Sequence, residues 1–134
     1  MEKRTVLFVD DEVKILRSIE RCLLDETYHK YYAQSGQEAI EILKREDVHV
    51  IVVDMFMPEM DGLGVCRAIK NELGLDKTKV IIITGFPDHP NLYEAARMGF
   101  SQILTKPLVI EEFINTVKEN LNGKLGNQFS HPDR

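Results

Sequence analysis

The chain has 134 residues, of which 43% are hydrophobic, so it is long enough to bury one core and too short for two domains of ordinary size. Its formal net charge is −5, the wrong sign for broad binding to phosphate backbones, so we expect no nucleic-acid binding by this domain. The sequence has no signal-peptide core and no apolar stretch long enough to cross a bilayer, which predicts a cytoplasmic protein without membrane contact.

Five strand-like runs alternate with helix-like segments along the chain. In chain order the predicted strands are 5–9, 30–33, 48–53, 80–84 and 102–104. Three of them are almost wholly apolar, as expected for strands that are covered on both faces. Because parallel strands need a crossover connection, this alternation predicts an α/β domain with a parallel sheet and helices packed on it.

Four of the five predicted helices show apolar residues at spacings of three and four. These are Ile15, Ile19, Cys22 and Leu23; Ala39, Ile40 and Leu43; Leu63, Cys66, Ile69 and Leu73; and Ile110, Phe113, Ile114, Val117 and Leu121. The fourth helix is less clear, because residues 88–91 fit either its start or a loop, although Pro90 suits a first helical turn.

Local signals mark the helix ends and the limit of the domain. Ser35 and Glu38 have the spacing of a capping box, and Gly74 and Gly99 are placed to end the third and fourth helices. Residues 122–134 are polar and without period. We therefore predict a domain over residues 1–121 and a polar tail or linker over 122–134.

Polar residues follow the predicted strands at their carboxyl ends. They are Asp10, Asp11 and Glu12 after the first strand, Asp54 after the third, Thr84 at the end of the fourth and Lys106 after the fifth. Ligands of open α/β sheets bind at this edge. Carboxylates brought this close repel one another unless a cation lies between them, so the cluster predicts a magnesium site.

Asp54 is the predicted nucleophile of this cluster, because it directly follows the apolar third strand. A carboxylate of this kind can take a phosphoryl group covalently. The transfer needs mainly alignment and neutralisation of charge. We expect Lys106 and the cation to neutralise the phosphoryl oxygens, and the hydroxyl of Thr84 to donate a hydrogen bond to one of them.

Four segments resemble, in order and spacing, the receiver domains of two-component signalling. They are LFVDDE at 7–12, DMFMPEMDG at 54–62, ITG at 83–85 and LTKP at 104–107. The resemblance runs from about residue 5 to residue 121. It implies a flavodoxin-like, doubly wound fold with a five-stranded parallel sheet in the order 2-1-3-4-5 and five helices.

The resemblance also implies partners and a metal. Asp54 would be phosphorylated by a sensor histidine kinase or a phosphotransfer protein, and the chain would catalyse only its own phosphorylation and dephosphorylation. Mg²⁺ would be held by Asp11, Asp54 and the backbone carbonyl of Phe56, with Asp10 acting mainly through water. A downstream effector domain or protein would receive the output, and a homodimer is left open.

By the same resemblance Lys106 pairs with the phosphoryl group, Thr84 moves inward to report phosphorylation, and Pro107 follows a cis peptide bond. At the switch position, three residues before the lysine, the family usually has Tyr or Phe, and this chain has Ile103. Leu108, where Phe is common, is a milder departure. We therefore expect signalling to depend on Thr84 and Lys106 more than on an aromatic switch.

Other functions fit the sequence less well. A flavodoxin-type electron carrier needs a hydroxyl- and glycine-rich phosphate loop where this chain has three acids, and a phosphohydrolase needs an acid where it has Phe56. A degenerate receiver that only binds proteins is the remaining alternative. Asp61 is interpreted as a helix cap, and the four histidines show no ligand spacing.

Two further expectations concern side chains away from the acids. Cys22 and Cys66 should lie on opposite faces of the sheet and stay unpaired. Phe56 and Phe86, each two residues beyond a site residue, should shield a phosphoryl group from water and make the phosphorylated form long-lived. The alternative is that both rings lie on the surface as contacts for a partner.

Overall fold

Strands and helices alternate throughout residues 3–123, the part of the chain that a computed structural model describes. The strands are β1 (Thr5–Val9), β2 (His29–Ala33), β3 (Val50–Asp54), β4 (Lys79–Thr84) and β5 (Ile103–Thr105). The helices are α1 (Val13–Cys22), α2 (Gly36–Arg45), α3 (Gly62–Arg67), α4 (Pro90–Arg97) and α5 (Ile110–Leu121). The predicted tail lies outside the described residues from position 124 onward and stays a prediction.

The five strands form one parallel sheet in the order β2-β1-β3-β4-β5, which confirms the predicted topology. Val9 pairs with Val53, and Asp54 pairs with Ile83, so the carboxyl ends of β1, β3 and β4 meet at the same edge. From β1 the chain adds β2 on one side and then β3 on the other, so the strand order reverses between β1 and β3. This is the crevice where a ligand of such a sheet is expected.

Both faces of the sheet are covered by helices, and each face has its own core. On one face α1 and α5 pack over Val6, Phe8, Val50, Val52, Ile81 and Ile83. On the other face α2, α3 and α4 pack over Leu7, Val9, Ile51, Val53, Val80 and Ile82. Side chains of successive strand residues point to opposite faces, so the continuous apolar runs within β1, β3 and β4 fill both cores.

The predicted helix starts at Ser35 and Pro90 are confirmed. The hydroxyl of Ser35 accepts from the backbone N–H of Glu38 at 3.1 Å. The carboxylate of Glu38 in turn accepts from the backbone N–H of Gln34 at 2.7 Å, one residue before the usual capping-box partner. Pro90 occupies the first turn of α4, directly after the cap residue His89.

The third helix continues beyond Arg67 as a π-helical turn over Ala68–Glu72. Its signature is the bond of 2.8 Å from the backbone N–H of Leu73 to the carbonyl of Ala68, five residues back. Gly74 then ends the segment with a φ of 60°, a conformation in which a Cβ is strained. The predicted stop at Gly74 is confirmed. The π-helical turn was not predicted, because a 3.6-residue period of apolar residues does not distinguish it from an α-helix.

Candidate functional site at the carboxyl edge of the sheet

Asp54 is the last residue of β3, and only 5% of it is exposed. The following loop returns so closely that a Cβ at Gly62 would lie 2.6 Å from the carbonyl oxygen of Asp54. Only glycine therefore lets α3 begin against the end of the strand. Asp61 caps this helix by accepting from the N–H of Gly64 at 2.9 Å, in agreement with its interpretation as a cap.

Lys106 reaches into the same edge from the end of β5. Its ammonium nitrogen lies 3.3 Å from Oδ2 of Asp54 and 3.6 Å from Oδ2 of Asp10. A weaker contact of 4.0 Å joins it to Glu12. The peptide bond from Lys106 to Pro107 is cis, as the resemblance implied.

Asp10, Asp11 and Asp54 come together as one carboxylate cluster. One oxygen from each lies within 4.8 Å of the others, so the three could hold a metal ion. Asp10 is buried and its Oδ1 accepts from the backbone N–H of Glu12 at 2.8 Å, whereas Asp11 is exposed. Hard carboxylate oxygens with one solvent-facing member match the ligand preference of magnesium, which keeps several waters.

Burial dominates the electrostatics of the two inner acids. It raises the pKa of Asp10, and the N–H of Glu12 offsets only part of that rise. It also raises the pKa of Asp54, against the opposing effect of Lys106. Burial alone would lower the pKa of Lys106, but the charges of Asp10 and Asp54 outweigh it and that pKa is raised. Burial therefore disfavours the ionised form of Asp10 and of Asp54, even with Lys106 beside them.

Thr84 ends β4 and is completely buried. Its Oγ1 accepts from the backbone N–H of Phe86 at 2.9 Å, which leaves the hydroxyl proton able to donate elsewhere. The carbonyl of Thr84 accepts from the N–H of Lys106 at 2.9 Å, so the backbone links both residues. Ile103 stands in β5 opposite Ile82 and is 36% exposed.

Three aromatic rings meet beside these residues. The backbone N–H of Phe56 donates to Oδ1 of Asp54 at 3.4 Å. The ring of Phe56 packs edge-on against Phe86, at 5.6 Å between centroids, and against His89, at 4.6 Å. Phe86 is 65% exposed, and Phe56 and His89 are half-buried. The two phenylalanines thus touch each other, but they differ in exposure.

His89 and Glu12 take part in the site although neither was a candidate from the sequence. A lone histidine carries no ligand spacing, and its ring contact with Phe56 is tertiary. One local signal was available, since His89 follows Phe86 by three residues and precedes a helix-starting proline, which predicts a turn with both side chains close together. Glu12 was recognised only as a member of the acidic run.

Both cysteines are free, and they lie on opposite faces of the sheet as predicted. Cys66 is buried in the core under α2 to α4. Cys22 ends α1, whose buried residues belong to the other core. Burial raises the pKa of the Cys66 thiol to about 12, so it is protonated at neutral pH.

A family model described as "Response regulator receiver domain" matches residues 6–118. The chain belongs to this family. Among curated proteins it is 32% identical, over 112 residues, to a "Probable transcriptional regulator ycf27" of Porphyridium aerugineum. That match covers 84% of this chain and 45% of the relative, so the chain spans about half the length of the curated relatives it matches.

Solved receiver domains have the same fold. The receiver domain of Francisella response regulator 1452 is 27% identical with a TM-score of 0.80, and the match covers 92% of this chain and all of that one. The receiver domain of NtrC4, solved as a beryllofluoride-activated dimer, is 35% identical with a TM-score of 0.78 and coverages of 90% and 98%. Within residues 3–123, no helix is both long and apolar enough to cross a membrane.

Proposed function

We propose that this receiver domain takes a phosphoryl group onto Asp54 from a sensor histidine kinase or a phosphotransfer protein, in a magnesium-dependent reaction, and changes conformation to control an output. The observation that carries the proposal is the contact of Lys106 with two buried carboxylates, at 3.3 Å from Asp54 and 3.6 Å from Asp10. A phosphoryl acceptor needs this combination of an aligned carboxylate and positive charge.

In the transfer an oxygen of Asp54 attacks phosphorus, the bond from phosphorus to the donor breaks, and its electron pair leaves with the donor. The backbone N–H of Phe56 holds Oδ1 of Asp54, which orients the carboxylate. The ammonium group of Lys106 lies beside Oδ2, and it would form a charge-assisted hydrogen bond with the phosphoryl oxygens. Thr84, whose hydroxyl proton is free to donate, would bond one oxygen of the product.

The carboxylates of Asp10, Asp11 and Asp54, together with the backbone carbonyl of Phe56, are the proposed magnesium ligands. The geometry supports this assignment, because one carboxylate oxygen of each acid lies within 4.8 Å of the others and two of the three acids are buried. Magnesium would neutralise these acids and the phosphoryl oxygens together. Asp10, with one oxygen engaged by the N–H of Glu12, would act mainly through water.

Acetyl phosphate with magnesium tests the proposal in a single experiment. Mass spectrometry should detect one added phosphoryl group on the wild type, and none on Asp54→Asn or in EDTA. Asp61→Asn is the matched control, since Asp61 is an acid of the same loop that serves as a helix cap, and it should be phosphorylated. An undiminished adduct on Asp54→Asn would overturn the assignment. Absence of any adduct on the wild type would favour a degenerate receiver.

The proposed setting of the domain includes its location in the cell and its partners. We propose a cytoplasmic protein that catalyses only its own phosphorylation and dephosphorylation, and whose output passes to an effector domain or protein. No binding of nucleic acid by this domain is proposed, in keeping with its net charge of −5. A second copy of the chain is a further proposed partner, because the NtrC4 relative was solved as a dimer in its beryllofluoride-activated form.

A further inference from the structure

We propose that His89 is a positioning residue, which holds the Phe56 ring at the mouth of the site and thereby slows hydrolysis of a phosphoryl group on Asp54. The inference rests on the proposed function, because it concerns the lifetime of the phosphorylated form. It assigns a role to a residue outside the acids, the lysine and the threonine.

The Phe56 ring lies between two other rings. His89 is the closer partner, at 4.6 Å and an interplanar angle of 70°, and Phe86 lies at 5.6 Å and 81°. Both are edge-on arrangements, which aromatic pairs favour. Since Phe86 is 65% exposed and His89 is half-buried, His89 is the less mobile of the two packing partners of the Phe56 ring.

Hydrogen bonds fix the orientation of His89 itself. Its Nδ1 accepts from the backbone N–H of Asn91 at 3.1 Å and so caps α4. Its backbone N–H donates to the carbonyl of Phe86 at 3.1 Å, which closes the turn that carries both rings. Rotation of the imidazole would cost the cap, so the ring cannot turn away from Phe56 freely.

The ring cluster joins the two loops that border Asp54. Phe56 is the second residue of the loop after β3, and its N–H is bound to the Asp54 carboxylate. Phe86 is the second residue of the loop after β4, and its N–H is bound to the Thr84 hydroxyl. Lys106 approaches Asp54 from its other oxygen. In the proposal, the rings cover the side of the site opposite the lysine.

In the proposal, the water that hydrolyses the phosphoryl group enters on this side. A water oxygen attacks phosphorus in line, the bond from phosphorus to the Asp54 oxygen breaks, and the carboxylate leaves with the electron pair. The products are the free carboxylate, hydrogen phosphate and one proton. Phe56 offers no donor or acceptor to orient that water, and a ring held in place excludes it. Removing the His89 ring should let the Phe56 ring move and water enter the site.

Two substitutions separate the ring of His89 from its capping role. His89→Asn removes the ring but keeps a favoured capping residue, whereas His89→Phe keeps a ring and removes the acceptor. We expect His89→Asn to raise the decay rate of the phosphorylated protein about three- to tenfold with an unchanged melting temperature. We expect His89→Phe to decay like the wild type and to melt at a lower temperature. Magnesium affinity, measured by thermal stabilisation, should be the same in both.

A double-mutant cycle with Phe56→Ala shows whether His89 acts through the Phe56 ring. Phe56→Ala should speed decay, and adding His89→Asn should then give no further increase. Independent, multiplying effects would overturn the inference, and so would wild-type decay in His89→Asn. If the wild type forms no adduct with acetyl phosphate, the proposed function itself fails and the inference falls with it. An adduct with unaltered decay in His89→Asn contradicts only the role of His89.

Discussion

The ammonium nitrogen of Lys106 lies 3.3 Å from the carboxylate of Asp54, across 52 positions of sequence. The same nitrogen lies 3.6 Å from the carboxylate of Asp10, which comes from a different strand. One cation is thus shared between two buried acids. Because Thr84 accepts the backbone N–H of Lys106, the residue that would sense the phosphoryl group and the residue that would bind it belong to one connected unit.

Removing either member of this unit should uncouple phosphorylation from the conformational response. Lys106→Ala should still take up phosphate, about tenfold more slowly, because one charge-assisted contact is lost. Thr84→Ala should also take up phosphate. In both variants the NMR shift changes caused by beryllofluoride or acetyl phosphate should be much smaller than in the wild type.

Two threonine substitutions serve as controls for this coupling. Thr84→Ser keeps the hydroxyl and should keep the response. Thr105→Ala alters the exposed threonine paired with Thr84 across the β4–β5 ladder and should also behave like the wild type. Shift changes as large in Thr84→Ala and Lys106→Ala as in the wild type would refute the coupling scheme.

The sheet edge can be predicted from the sequence because strand periodicity carries its residues there. β1 is as predicted, and the other strands begin or end within two residues of the prediction. β3 begins at Val50 and not at residue 48, because the backbone bends at His49. The imidazole Nδ1 of His49 accepts a hydrogen bond from the backbone N–H of Thr5 at 3.0 Å. A local pattern does not contain that long-range bond.

Contacts between loops are the part that the sequence does not reveal. The four motifs identify the acids, the threonine and the lysine, but the packing of Phe56 against His89 depends on how two loops fold toward each other. The two rings predicted to shield a phosphoryl group also differ in exposure, since Phe86 is 65% exposed and Phe56 is half-buried. Periodicity specifies the buried faces of helices and strands, whereas ring contacts between loops depend on the tertiary fold.

Asp54→Asn should stabilise the protein in the absence of magnesium. Since burial raises the folded-state pKa of Asp54 above 3.8, the stability of the metal-free chain falls as pH rises through that raised pKa. Asparagine does not ionise and avoids this loss, while Lys106 keeps its contact with Asp10. We expect a gain on the order of 1 kcal/mol in the free energy of unfolding at neutral pH, measured by urea denaturation in EDTA.

Glu12→Gln is the control for this effect. It removes one negative charge facing the same lysine, but the Glu12 side chain is 64% exposed, so stability should change little. Near pH 3 the advantage of Asp54→Asn should vanish, because the wild-type carboxyl is then protonated. Magnesium should stabilise the wild type more than Asp54→Asn. A destabilised Asp54→Asn in EDTA would contradict the argument that burial disfavours the ionised Asp54 carboxylate.

The two thiols should differ in reactivity and never pair within one chain. Cys66 is fully buried with a pKa of about 12, so a thiol reagent should reach it only on unfolding, whereas the half-buried Cys22 should react in the native protein. Titration of denatured, unreduced protein should yield two thiols. A count of zero would contradict their separation on opposite faces. Cys66→Ser should react with the reagent at the rate of wild-type Cys22.

The phosphorylated form should be long-lived, and Phe56 should contribute more to this than Phe86. Phe56→Asn replaces a half-buried ring with a side chain that can orient water, so decay should speed up about tenfold. Phe86→Glu should have a smaller effect of about two- to threefold, because its ring is 65% exposed and excludes less water. Loss of the phosphoryl group, followed by mass spectrometry at fixed magnesium concentration, measures both rates.

Tyr93 supplies the matched control for these rates, since it is also 65% exposed and lies on α4, outside the ring cluster. Tyr93→Glu introduces the same charge as Phe86→Glu, and it should leave decay unchanged if position decides the effect. Equal acceleration in both glutamate variants would assign the effect to charge alone. Wild-type or slower decay in Phe56→Asn would mean that the rings do not control water access, and both phenylalanines would then be better explained as surface contacts for a partner.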